Sequence, residues 1–126
     1  MGSEMCIRDR GKTYRIVNGD VFQFWDFKHR ISGQGFPTPV ANTALDLAHA
    51  LGYNPHLRVL ALNGIYDLAT PFFATESSLD HLGLGKELRS HIENKYYDAG
   101  HMMYVHEPSL VKFKSDIAAF IDATSK

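Results

Sequence analysis

Arg58-Val59-Leu60-Ala61-Leu62, closed by Asn63-Gly64 and followed by Ile65-Tyr66-Asp67-Leu68-Ala69-Thr70-Pro71, decides how the chain folds. Five mostly apolar residues between two turn signals, Asn54-Pro55 and Asn63-Gly64, are too few for a helix. They fit a strand over 58–62 buried on both faces. Thr70-Pro71 then carries a helix start, a hydroxyl cap followed by proline at the first helical position. It predicts a helix over 71–82, ended by Gly83 and Gly85. A single helical turn is expected over 86–89. His91-Ile92-Glu93-Asn94-Lys95-Tyr96-Tyr97 reads as a second strand, more polar than the first, as suits a sheet edge.

Upstream, Thr38-Pro39 repeats the cap-plus-proline pattern. Val40, Ala44, Leu47, Ala48 and Leu51 follow at helical spacing, so a helix is predicted over 39–51 with Gly52 as its stop. Gly33, Gly35 and Pro37 mark a loop before it. Residues 12–30 form an exposed-aromatic segment in which Val21-Phe22-Gln23-Phe24 alternates like a short strand. Phe24, Trp25 and Phe27 are expected to pack rather than to form a substrate platform. Downstream, Pro108 opens a last helix that places Leu110, Phe113, Ile117, Phe120 and Ile121 on one face and turns Lys112, Lys114 and Asp116 away from it.

Helix, strand, helix, strand, helix is the alternation of an α/β layer with a parallel sheet. Two strands make a poor sheet, so partner strands are expected from sequence outside this chain. Met1 to Arg10 stand apart. Met5-Cys6-Ile7-Arg8-Asp9-Arg10 resembles a translated sequencing-adapter read-through, and residues 1–10 are set aside from fold reasoning, leaving 11–126 as the domain piece.

Open α/β sheets bind ligands beyond the carboxyl ends of their strands. Two loops leave such ends here, one carrying Asp67 and the other, Asp98-Ala99-Gly100-His101-Met102-Met103-Tyr104, carrying His101. Asp before His, one strand–helix–strand unit apart, is the tail of the chain order Ser, Asp, His. A serine hydroxyl is a weak nucleophile and needs an imidazole to take its proton and return it to the leaving group. A carboxylate holds that imidazole in one tautomer. His101 is therefore the candidate base and acid, and Asp67 its orienting partner. The bland readings of the same residues are a loop histidine after Gly100 and a turn-forming Asp after Asn63-Gly64.

Composition narrows the field. The 126 residues are 44% hydrophobic and 21% charged, with a net charge of −1, values ordinary for a globular domain and without the basic stripe of a nucleic-acid binder. No apolar run approaches the roughly 20 residues of a membrane span. No leader of basic, apolar and small residues opens the chain. One cysteine, Cys6, makes no internal disulfide and leaves the redox compartment undetermined. His101 and His106 are five apart, off the spacing of helical metal ligands, and no carboxylate or cysteine cluster accompanies the seven histidines, so neither metal nor cofactor is expected.

The stretches Asn54–Pro71 and Gly100-His101-Met102-Met103-Tyr104-Val105-His106-Glu107-Pro108 resemble the end of the serine carboxypeptidase family, the S10 peptidases. That family carries a similar Asn-Gly-x-x-Asp segment with its catalytic Asp and a Gly-His-Met segment with its catalytic His. The likeness covers roughly 12–122 and is nearer to bacterial members. It implies the C-terminal part of an α/β-hydrolase, with Asp67 and His101 catalytic and Met102 lining the substrate cleft. It further implies a peptide substrate, the missing N-terminal part of the same domain as partner, and an exported, periplasmic or secreted location. The family's Gly-Glu-Ser-Tyr-Gly-Gly elbow has no counterpart here. No Gly-x-Ser-x-Gly exists, and Ser3, Ser32, Ser77, Ser78, Ser90, Ser109, Ser115 and Ser125 lack its setting. The expected activity is thus that of a longer protein, this chain alone being inactive. Two other classes stay open: another α/β-hydrolase (an esterase or aminopeptidase), and a non-catalytic binding module that keeps the fold's tail.

Overall fold

The computed structural model describes residues 18–30, 35–39 and 42–125. The foreign-looking stretch 1–10, Gly33 and Val40 lie outside them. In chain order the elements are α1 (Gly19–Phe24), α2 (Ala44–Tyr53), β1 (Val59–Gly64), α3 (Phe72–Asp80), α4 (Lys86–Arg89), β2 (Ile92–Tyr97), a 3₁₀ turn (Met103–Val105) and α5 (Glu107–Thr124). Among the described residues β1 and β2 form a two-stranded parallel sheet, with Val59 opposite Ile92 and Gly64 opposite Tyr97. The expected alternation of helices with parallel strands is present.

Strand alternation puts Val59, Ala61 and Asn63 of β1 on one face, beside Ile92, Asn94 and Tyr96 of β2. That face meets the core, where buried Leu51 of α2, Leu79 of α3, Leu82 and Ile92 cluster with half-buried Val59 and Ala61. Phe72 of α3 stands edge-on to Tyr96 at 5.9 Å, and the Tyr96 hydroxyl donates to Glu76. That bond pushes the Tyr96 phenol up to about 12. On the other face Tyr97 is buried against Phe113 of α5, with ring centroids 5.6 Å apart, and its hydroxyl donates to Asp116 Oδ2 at 2.9 Å.

Several expectations need correction. The strand at 58–62 is half-buried rather than buried on both faces, because β2 is its one partner among the described residues. It also runs on through Asn63-Gly64, since the Ile65 amide continues the ladder onto the Tyr97 carbonyl at 2.9 Å. The helix predicted from Pro39 starts at Ala44. Thr38 is held in an antiparallel bridge to His29, and Asn42 Oδ1 accepts the Ala44 amide at 3.0 Å instead. That helix passes through Gly52 and stops at Tyr53, because Asn54 precedes a proline and is extended. Val21–Phe24 is helical, not a strand. Asn18 caps it by accepting the Asp20 amide, and a local cap decides where no buried face enforces alternation. Phe24, Trp25 and Phe27 are exposed rather than packed, although Phe22 and Phe27 meet edge-on.

Helix α5 differs in which residues it turns inward. Leu110 and Ile121 are exposed, Phe113, Ile117 and Phe120 are half-buried, and Ser109 is buried. Asp116 and Lys112 face the sheet rather than away from it: Asp116 accepts the Tyr97 hydroxyl, and Lys112 Nζ donates to the Tyr96 carbonyl at 3.1 Å and to Asp116 Oδ2 at 3.0 Å. Helix α3 stops at Asp80 with His81 as its C-cap, short of the predicted end at 82, and Gly83, at φ +69°, follows in the left-handed region that a side chain resists. Among the described residues no helix is long and apolar enough to cross a membrane.

Candidate active site

Parallel strands deliver their carboxyl ends to the same edge, so the segments after Gly64 and after Tyr97 emerge together. Backbone bonds then stitch them. The Ile65 amide donates to Tyr97 at 2.9 Å, and the Tyr66 amide donates to Ala99 at 3.0 Å. The approach is so close that a Cβ built on Gly64 would lie 2.4 Å from the Gly100 carbonyl oxygen and 2.7 Å from that of Ala99. Gly64, read from sequence as a turn former, is the residue that lets the His loop lie on the Asp loop.

The consequence is contact between the two candidate residues. His101 Nδ1 lies 2.9 Å from Asp67 Oδ2. Asp67 is held as in an Asx turn: Oδ1 accepts the amides of Ala69 at 2.8 Å and Thr70 at 2.9 Å. Oδ2 also accepts the Thr70 hydroxyl at 2.6 Å. The hydroxyl and then the amide of Thr70, followed by the bonds from His101 and Ala69, hold the Asp67 carboxyl well below the usual carboxylate range, against the effect of burial. An ionised carboxylate only accepts, so the imidazole must present Nδ1–H to it, which in the neutral ring leaves the lone pair on Nε2. The Asp67 side chain is 5% exposed and that of His101 64%. The carboxylate is anchored, and the imidazole stands at the surface where a second reactant can reach it.

Met102 is exposed beside His101, ahead of the 3₁₀ turn. Tyr66, Leu68 and Tyr104 are exposed on the same two loops, so Tyr66 faces solvent rather than the core. Thr70, expected as a helix cap, makes no cap bond to α3, which begins at Phe72, because its hydroxyl is committed to Asp67. Among the described residues no serine hydroxyl is bonded to His101: Ser78 and Ser90 donate to carbonyls, and Ser109 pairs with His106 at 2.7 Å. Among the described residues no three His, Cys, Asp or Glu side chains gather to hold a metal ion.

The low titration of Asp67 has a consequence for stability. The folded state favours its ionised form, so its contribution is fully present above the ordinary value of 3.8 and is lost as pH falls below it. Asp67→Asn is expected to melt below the wild type at neutral pH, with the gap closing as pH falls through and below about 4. Melting curves of both proteins across that range check this. A gap that does not change with pH contradicts it.

Comparison with protein-family models, with curated proteins and with solved structures finds no match for this chain.

Proposed function

We propose that this chain supplies the Asp and His of a serine-type carboxypeptidase of α/β-hydrolase fold, its nucleophilic serine carried by another segment of a longer protein. The observation that carries the reading is the 2.9 Å bond between an anchored, ionised Asp67 and the Nδ1 of an exposed His101. The choice of peptide C-termini as substrate comes from the resemblance of Asn63–Asp67 and Gly100–Met102 to the serine carboxypeptidases.

In that reaction Nε2 of His101 takes the hydroxyl proton as the serine oxygen attacks the last peptide carbonyl. Nδ1–H stays on Asp67, whose charge stabilises the imidazolium. The same Nε2 proton then passes to the leaving amine as the peptide bond breaks, leaving an acyl-enzyme. A water molecule, deprotonated by Nε2, attacks the acyl carbon, the bond from that carbon to the serine oxygen breaks to free the shortened peptide, and the proton returns to the serine oxygen. Met102 would line the cleft beside the base.

The test is to incubate the full-length protein with a peptide free at both ends and follow the products by mass spectrometry. A ladder shortened from the C-terminus, blocked by a serine-reactive phosphonate, is the expected result. A ladder shortened from the N-terminus, or turnover indifferent to the phosphonate, overturns the proposal.

A further inference from the structure

A carboxylate offers about four acceptor positions, two on each oxygen. Asp67 fills them all: Oδ1 takes the amides of Ala69 and Thr70, and Oδ2 takes the Thr70 hydroxyl and His101 Nδ1. Thr70 alone, among the described residues, reaches both oxygens. Its Oγ1 also lies 3.4 Å from His101 Nδ1. Its one hydroxyl proton is aimed at Oδ2 at 2.6 Å, so the oxygen's lone pairs are what remain for the imidazole. Nδ1 therefore faces two acceptors, Asp67 Oδ2 and Thr70 Oγ1. An Nδ1–H suits both. A bare Nδ1 lone pair would meet lone pairs on both.

We propose that Thr70 is a positioning residue which selects the Nδ1–H tautomer of His101, by filling the second acceptor place on Asp67 Oδ2 and turning its own lone pairs toward the imidazole. The inference rests on the reading of Asp67 and His101 as a working pair. It goes beyond that reading in giving tautomer selection a second agent besides the carboxylate. Loss of the hydroxyl leaves Oδ2 with an open place, into which the imidazole can slide or water can enter. A hydroxyl that merely capped a helix or filled space would not affect which ring nitrogen carries the proton.

Long-range proton–nitrogen spectra of the labelled chain, above the pH at which the imidazole titrates, report that nitrogen directly. The wild type is expected to hold His101 as Nδ1–H. In Thr70→Val, which keeps the shape and the backbone amide, the share of the Nε2–H form is expected to rise about tenfold, the worth of one such hydrogen bond. Thr70→Ser is expected to restore the wild-type ratio. An unchanged ratio in Thr70→Val, with a changed one in Asp67→Asn, overturns the role of Thr70 and leaves the pair standing. An unchanged ratio in both overturns the pair and the inference with it. If Thr70→Val does not fold, the wild-type Thr70 hydroxyl proton decides. Slow exchange with an Overhauser contact to the His101 ring supports the proposal, and exchange at the rate of a free hydroxyl overturns it.

Discussion

Replacing His101 by Ala is expected, on the proposed carboxypeptidase function, to lower kcat for peptide hydrolysis by about 10⁴- to 10⁶-fold in the longer protein that this function calls for. In the proposed reaction the loss falls on kcat, because Nε2 acts only as the proton moves. Asp67→Asn is expected to cost about 10⁴-fold for a different reason. The amide can present a donor to Nδ1 and so favour the wrong tautomer, with little change in shape. KM is expected to move by far less in both variants. Steady-state kinetics on a peptide substrate separate the two terms. A loss confined to KM, or one of less than about tenfold, would show that neither residue handles the reacting proton.

Gly64→Ala is expected to be the most crowded glycine-to-alanine change among the described residues. The added carbon would meet two backbone carbonyl oxygens, at 2.4 and 2.7 Å, and neither can rotate away as a side chain would. Overpacking of this kind costs about 1–3 kcal/mol, and the upper end applies where backbone must move. The shift also separates the two loops that bring Asp67 to His101, and misplacement by about 1 Å at a reacting group can cost on the order of 10²-fold in rate. Gly52→Ala is the matched control. Its Cβ meets nothing within 4 Å and lies in helix α2, so a gain of about 0.5–1 kcal/mol is expected. Urea unfolding of both variants checks the pair. Equal stabilities would contradict the close approach at Gly64.

The meeting of Asp67 and His101 was legible from sequence because the alternation of elements is coarse and robust. A short apolar run, a capped helix and a second strand imply a parallel pair, and a parallel pair brings both carboxyl ends to one edge. The placing of elements within a residue or two followed from Thr70-Pro71, Gly83 and Pro108. What escaped depends on contacts between distant residues. Asn63-Gly64 looks the same whether the glycine turns the chain or lets another backbone approach. Thr70 before Pro71 looks like a cap whether its hydroxyl serves the helix or a carboxylate three residues back. Asp116 sits at a polar position of the helical wheel, and its turn toward the sheet required knowing that the Tyr97 hydroxyl would be buried there. The α1 helix was missed because its aromatics are exposed, so alternation carried no information about a buried face.

An ionised Asp67 holds His101 by Nδ1 and leaves Nε2 free to act. The most direct measurement is the His101 ring-proton spectrum of the wild-type chain at neutral pH. A protected, strongly downfield proton on Nδ1 that disappears in Asp67→Asn is the expected result. A ring proton residing on Nε2, or one that exchanges freely and does not respond to Asp67→Asn, would contradict it.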